Sequence, residues 1–491
     1  MTLNMVENKI IEARKRENAV AFSLFALFLS CAFFIAVPIA LKITEGQGMF
    51  WENLLYIFTG PSKLVTDYFD LGCLASTLFN AGLCGLACNI LMLVTRAQPN
   101  STTFAGYLLV IAHCFYGLNF VNMWPPFIGV VLYCVIKKKK LGDNLHTAMF
   151  STALSPFISD LMFYYPIGAG WEIGNSGIRI VGLCLALIFG LAAGFLVPAL
   201  IARSTSFHRG HNMYKAGLAL GFFGVFVYNF LYPTFGVKSA DAVIHNNPHY
   251  EPTGNAYLLF MNVFFAVIFA SAIVLGFFLN GRSFKNYKKL LDCSGYGLDF
   301  ADKFGMPLCF INFGIYGFCI LAYLNIIFWL PAIFPFLPVG AGFTGPTVGI
   351  VFAALTFSAD GQHPRNVAPV ALGYVVLFVL VCTVCLSSGM EVPWTLSTQT
   401  YINSIAFATG LCPIAGRYGF KYGLIAGVVS AVICSSTAAM HGGFVLYNGG
   451  FNAGLAAMLM IMMLDFYKVE PRLKGDDDEI FLTEKAEKRR S

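Results

Sequence analysis

Apolar positions in this chain neither alternate nor fall on one face of a helix. They form long unbroken runs separated by short polar connections. The first run, AVAFSLFALFLSCAFFIAVPIAL, is apolar all round. A helix needs about 20 such residues to cross a bilayer, whereas a membrane barrel reads as strands of roughly ten with period two. Helical passes are therefore expected at about 19–42, 71–95, 103–120, 122–137, 145–165, 177–201, 212–232, 256–280, 305–329, 340–358, 366–386, 396–415, 421–440 and 444–466. The expected fold is an all-α transmembrane, polytopic bundle of about 12–14 spans. The polar opening, MTLNMVENKIIEARKREN, leads into a full-length span that Lys42 ends. With no small-residue cleavage site it reads as an uncleaved first helix.

Composition agrees with the pattern: 57% of residues are hydrophobic and 11% charged, against about 25% charged in soluble domains. The net charge of +6 does not point to nucleic acid, because the basic residues sit in short connections. Lys137 to Lys140, the cluster Arg203, Arg209 and Lys215, and the loop with Arg282, Lys285, Lys288 and Lys289 all fall on one side when both termini are threaded inside. Lys and Arg are enriched in cytoplasmic loops, so both termini are expected in the cytoplasm, with the protein multi-pass in a bacterial inner membrane. The mixed-charge tail, 471–491, belongs to that side too. Most of the fourteen cysteines lie in apolar runs. Cys382 and Cys385 form a C-x-x-C without the second pair that a tetrahedral metal site needs, so no metal is expected.

The chain repeats itself. Phe79-Asn80-Ala81-Gly82-Leu83 recurs as Phe451-Asn452-Ala453-Gly454-Leu455, with looser copies at 214–218 and 339–343. Thr152-Ala153-Leu154-Ser155-Pro156 matches Thr409-Gly410-Leu411-Cys412-Pro413, and His208 and Tyr214 align with His441 and Tyr447. Two related repeats are expected, 1–255 and 256–470, with 256–280 as a linking helix. Threaded in this way, the first A-G elements run parallel and the T-x-L-x-P elements antiparallel. One rigid repeat cannot do both, unless a segment near 122–137 or 388–400 is re-entrant or part of the similarity is accidental. Gly/Pro-interrupted segments at matched places mark broken helices around a midplane site, which favours inverted repeats with broken or re-entrant helices.

Amides and glycines inside spans have two readings. Small residues and interhelical hydrogen bonds are ordinary packing devices in membranes, and this suits Asn80 with Gly82 and Asn452 with Gly454. The alternative is unwound backbone lining a cavity. Prolines 156 and 413 break the helix ladder. Asp160, one turn beyond Pro156, is either an ion-coupling group, since ionisable residues within spans are functional candidates, or a cap at the helix end. The stretch GAGFTGPTVG, with Thr344, Pro346 and Thr347, and the stretch from His441 through Tyr447 and Asn448 are too rich in helix breakers for continuous helices. The candidate permeation path is therefore Asn80, Gly82, Thr152, Pro156, Thr344, Pro346, Thr347, Thr409, Pro413, His441, Tyr447, Asn448, Asn452 and Gly454, with Asp160 for ion coupling. No G-x-S-x-G, H-E-x-x-H or P-loop is present, so no enzyme activity and no cofactor are expected.

With the duplicated elements in view, the sequence resembles a bacterial membrane-protein family known only as a domain of unknown function (1576). The likeness covers nearly the whole chain and implies no substrate. The stretches Phe79–Leu83 and Tyr447–Phe451 are also similar to the aromatic-Asn-x-x-Leu stretch of urea channels, duplicated helical proteins that conduct a small neutral amide. The expected function is secondary active transport of a small polar solute coupled to a proton or sodium ion. A passive channel for a neutral solute, and a membrane-embedded enzyme or scaffold, are the alternatives. The partners implied are the solute, the lipid bilayer and, without contradiction, further copies of the chain.

Overall fold

The computed structural model describes residues 2–44, 48–166, 180–244, 247–251 and 254–472; most of the charged tail lies outside them. Among the described residues the structure is helical, with no strand. The first half contains α1 (Thr2–Ile43), α2 (Phe50–Thr59), α3 (Tyr68–Leu71), α4 (Leu74–Val94), α5 (Ser101–His113), α6 (Trp124–Ile136), α7 (Leu141–Ser151), α8 (Ser155–Phe163), α9 (Ile180–His208) and α10 (Lys215–Leu231). The second contains α11 (Ala256–Leu279), α12 (Tyr287–Asp292), α13 (Phe300–Phe304), α14 (Met306–Ile333), α15 (Gly345–Ala354), α16 (Pro364–Ser387), α17 (Gln399–Ala408), α18 (Cys412–Tyr418), α19 (Phe420–Met440) and α20 (Asn448–Phe466).

Nine of these helices are long and apolar enough to cross a membrane: α1, α4, α9, α10, α11, α14, α16, α19 and α20. The other five expected passes are built from shorter pieces: α5, α6, α7 with α8, α15, and α17 with α18. The proline motifs explain two of the breaks. Thr152–Leu154 and Thr409–Leu411 are single 3₁₀ turns, and each following proline stands in the first turn of a new helix, where its missing N–H is no loss. The threonine hydroxyls donate to Met149 O at 2.7 Å and Ala406 O at 2.6 Å, adding a hydrogen bond at each break.

Hydrogen bonds correct the sequence register. Asn80 was matched with Asn452, but its mate by geometry is Asn312. Asn80 Nδ2 donates to Cys114 O and Leu118 O (3.0 and 3.1 Å), and Asn312 Nδ2 donates to Ser358 O and Gln362 O (2.8 and 2.7 Å). Each amide thus holds the connection that follows a short helix, α5 or α15. Both connections turn at a left-handed glycine, Gly117 (φ 88°) and Gly361 (φ 126°). Asn122 and Asn366 then donate to the carbonyls of those glycines, at 3.0 and 2.9 Å. The Asn80–Gly85 stretch is not unwound, because α4 runs through it unbroken with Gly82 against the Phe34 ring. The parallel/antiparallel conflict arises from pairing 79–83 with the looser copy at 339–343 as the first A-G element of each half, and the corrected register removes it.

The short helices α5 and α15 lie side by side and antiparallel. Ser101, which opens α5, bonds Asp360 beyond the end of α15 (3.3 Å), while Gly345, which opens α15, packs under Phe115 O beyond the end of α5. Gly349 meets the Ala112 carbonyl so closely that no side chain fits. Equivalent helices in antiparallel contact are what inverted repeats require. The basic connections collect at one end of the bundle, where Arg14 Nη2 donates to Lys303 O (2.9 Å), Tyr296 Oη donates to Arg209 O (2.9 Å) and Arg209 pairs with Asp465.

Because hydrocarbon offers no substitute partner for the four carbonyls, Asn80→Ala and Asn312→Ala should each cost about 1–3 kcal/mol. Thermal unfolding in detergent measures this as lowered midpoints of similar size; an unchanged midpoint in either variant contradicts the clamp.

Candidate functional site

Helix α17 divides two voids. Its sequence QTYINSIAFA puts Thr400, Asn403, Ser404 and Phe407 on one face and Ile402, Ile405 and Ala406, followed by Thr409, on the other. The first face borders a polar cavity of about 210 Å³ whose wall includes Asn448 and Asn452 of α20, with Tyr116 beside Phe407. The second borders an apolar groove of about 300 Å³ against Tyr316 and Tyr323 of α14 and Val367 of α16. Leu64 and Val65 bound the polar cavity at the end of the bundle opposite the basic connections, where Leu64 N donates to Gly443 O (2.8 Å).

The amides in the cavity wall are held from behind. Asn452 Nδ2 donates to Ser404 Oγ (2.9 Å) and to Ser430 O and Oγ (3.1 Å each), and Tyr374 Oη joins the two serines. The Asn452 Oδ1 atom is buried without a partner. His441 Nδ1 accepts the Val445 N–H (3.3 Å), so Nε2 carries the ring proton and donates to Asn448 Oδ1 (3.0 Å). Gln399 donates through Nε2 to Asn403 Oδ1 (2.7 Å), while its Oε1 accepts from Thr344 Oγ1 (2.6 Å).

Several sequence candidates therefore meet here. Asn448 and Asn452 line the cavity, His441 orients Asn448, and Tyr447 packs against the His113 ring with centroids 5.1 Å apart. Thr344 caps α15, with Thr347 and Pro346 in its first turn, and joins the cavity through Gln399. Thr409 borders the apolar groove and accepts from Gln362 Nε2 (2.8 Å), with Pro413 just beyond in α18. Gly454 faces Leu218 of α10. Asn80, Gly82 and Pro156 lie in the first half outside the cavity lining, whereas Thr152 faces Tyr447 and its neighbour Ala153 accepts the N–H of Leu446, a lining residue (3.0 Å). Asp160 lies in α8, where it accepts Tyr232 Oη (2.6 Å) and Ala240 N (3.3 Å) and ties down the connection after α10. Sequence reading missed Thr400, Asn403, Ser404 and Gln399, although the Q-T-x-x-N-S spacing puts all four on one helical face.

The mate of α17 is α7, and the two sit differently. Each keeps its equivalent short helix, α7 on α5 with Met149 over Gly106 and α17 on α15, but α7 also packs along α6, whereas α17 leans on α19 and α20 and leaves the groove between itself and α16. By contrast, the surroundings of α5 and α15 are nearly symmetric. Asp67 caps α3 and accepts Gly345 N of α15 (3.0 Å); Asp299 caps α13 and accepts Ser101 Oγ of α5 (2.5 Å). Each half thus holds the short helix of the other with one carboxylate. The spacing from that carboxylate to the clamp amide, Asp67 to Asn80 and Asp299 to Asn312, is the same in both copies.

A family model described as protein of unknown function (DUF1576) matches residues 47–232 and 279–466. The chain belongs to the DUF1576 family. The two matched segments are consistent with a repeat and cover α2–α10 and α12–α20 in full. No curated protein and no solved structure matches the DUF1576 chain.

Asp67 lies outside the long spans and is fully buried, with Asp70 nearby; burial first, then that neighbouring charge, raise its carboxyl to about 7. The folded protein therefore holds a proton here that the unfolded chain has released, and stability from this group falls as pH rises from the ordinary carboxylate value of 3.8 toward 7. The thermal midpoint should decline over that range, and Asp67→Asn should flatten the decline; an equal slope in both proteins would exclude Asp67 as its source.

Proposed function

We propose that this DUF1576 protein is a transporter that moves a small polar solute across a bacterial inner membrane by alternating access. The observation that carries the reading is the unlike seating of one broken helix in two related halves. Helix α17 lies toward α20, with a polar cavity on one face and an apolar groove on the other, and α7 is seated against α6. A shift of α17 into its groove gives it the seat α7 already occupies. The reverse shift of α7 opens the matching space at the other end. Two packings of similar energy in one molecule are what an alternating transporter needs.

With the basic end in the cytoplasm, the cavity opens outward. Each repeat, 1–255 and 256–470, contributes one moving helix, α7 or α17, to a shared frame. Asp160 serves as the ion-coupling group. Its carboxylate tethers Tyr232 and Ala240 at the outer end, and a proton or sodium ion arriving there weakens that tether.

Cysteine labelling separates a carrier from a passive channel. Asn403→Cys should react with a membrane-impermeant thiol reagent added outside, well above the wild-type background. His146→Cys, at the corresponding position of α7, should react from the cytoplasmic side only in the alternate state. Added solute should therefore raise one rate while lowering the other, and simultaneous free access at both positions would mean a continuous pore. Asp160→Asn should abolish proton- or sodium-driven uptake while leaving exchange of solute intact.

A further inference from the structure

The cavity wall is specific about chemistry. Its lining contains no Asp, Glu, Lys, Arg or His. A lone charge moved into such a space would lose its hydration without gaining a counter-charge. Beside the hydroxyls of Thr400, Ser404 and Ser435, the wall offers three carboxamides, each turned by a neighbour. The His441 tautomer is set by the Val445 N–H, so its Nε2–H occupies Asn448 Oδ1 and leaves Asn448 Nδ2 toward the cavity. Gln399 does the same for Asn403 by taking its Oδ1. Asn452 is turned the opposite way: both serines take its Nδ2, and its Oδ1, on a residue 1% exposed, has no protein partner.

Asn448 and Asn452 are one helical turn apart and both face the cavity. One offers a donor and the other an acceptor, about 6 Å apart along α20. Phe407 and Tyr116 supply flat apolar surface nearby. The volume of about 210 Å³ is that of roughly seven liquid water molecules, enough for a solute of a few heavy atoms.

We infer that this cavity binds an uncharged solute carrying adjacent hydrogen-bond donor and acceptor groups, such as a carboxamide or a vicinal diol. Asn452 receives its donor, Asn448 serves its acceptor, and His441 is a positioning residue that orients Asn448. The first-half counterpart of His441 lacks this partner: His208 Nδ1 likewise accepts a backbone N–H, from Asn212 (3.3 Å), yet its Nε2 is buried and unpaired. Lys215 stands there in place of Asn448. The oriented amide therefore belongs to the second half alone. This inference rests on the transport reading for its purpose, but the binding chemistry is tested separately.

Purified full-length protein in lipid nanodiscs is titrated with acetamide, ethylene glycol, N,N-dimethylacetamide, acetate and methylammonium. Acetamide or ethylene glycol should bind, and which one binds more tightly identifies the amide or the diol source. Acetate and methylammonium should bind at least tenfold more weakly. Dimethylacetamide, which has no donor, should bind about fivefold more weakly than acetamide in wild type, the worth of one neutral hydrogen bond, and equally with acetamide in Asn452→Ala. Asn448→Ala should weaken both amides while preserving their ratio. His441→Ala should do the same, and His441→Gln, which can accept and donate in the same two directions, should restore binding. If Asn452→Ala does not fold, the two His441 variants carry the test.

Acetate binding as tightly as acetamide overturns the inference. So does a donor preference that survives Asn452→Ala, or failure of both neutral probes to bind. Asn452-dependent binding without solute-dependent cysteine labelling upholds this site and overturns the transport reading; the opposite pattern does the reverse.

Discussion

A helix that breaks inside a membrane leaves carbonyls that lipid cannot satisfy, and every such group must find a partner within the protein. In this chain side-chain amides in each half meet much of that demand, Asn80 with Asn122 and Asn312 with Asn366. Asn80 on α4 and Asn312 on α14 each take two carbonyls from the turn that ends a short helix. Without them α5 and α15 could not stop partway and turn back, and the paired short helices at the centre would not form. The unbroken helices α4 and α14 are rigid so that their neighbours can be irregular.

From that constraint a division of labour follows. The frame consists of α5 and α15, locked antiparallel through Gly349 and held at opposite ends by Asp67 and Asp299. These contacts obey the repeat closely, and each links one half to the other. The departures from symmetry lie in the adjoining broken helices. Proline breaks give α7–α8 and α17–α18 a joint near their middle, and the two take different seats. Symmetric clamps thus surround an asymmetric pair of jointed helices, and the proposed alternation rests on that difference.

Much of this was legible beforehand. The passes follow from run length, because hydrocarbon thickness dictates it. The Thr-x-Leu-x-Pro breaks follow from the missing proline N–H. His441, Asn448 and Asn452 were singled out by amide and glycine density where a helix should run. The misreading of Asn80 has an equally physical cause. Asn-Ala-Gly is a general device for close helix approach, so its recurrence at 452–454 reported similar packing and not equivalent position. The true mate, Asn312-Phe-Gly, keeps the amide and the glycine but exchanges the residue between them, and its kinship shows only when the preceding aspartate is counted as well.

Sequence alone determined that this chain is a polytopic helical membrane protein with two related portions, and that helices break at the two Thr-x-Leu-x-Pro motifs, although the breaks expected at Asn80–Gly85 and Asn448–Gly454 are absent. Those properties depend on local chemistry: apolar length, missing backbone donors, glycine freedom. Only the tertiary structure decided which amides clamp backbone and which face open space, because a carboxamide is the same residue in either role. Its function is set by which of its two ends a distant side chain has already taken.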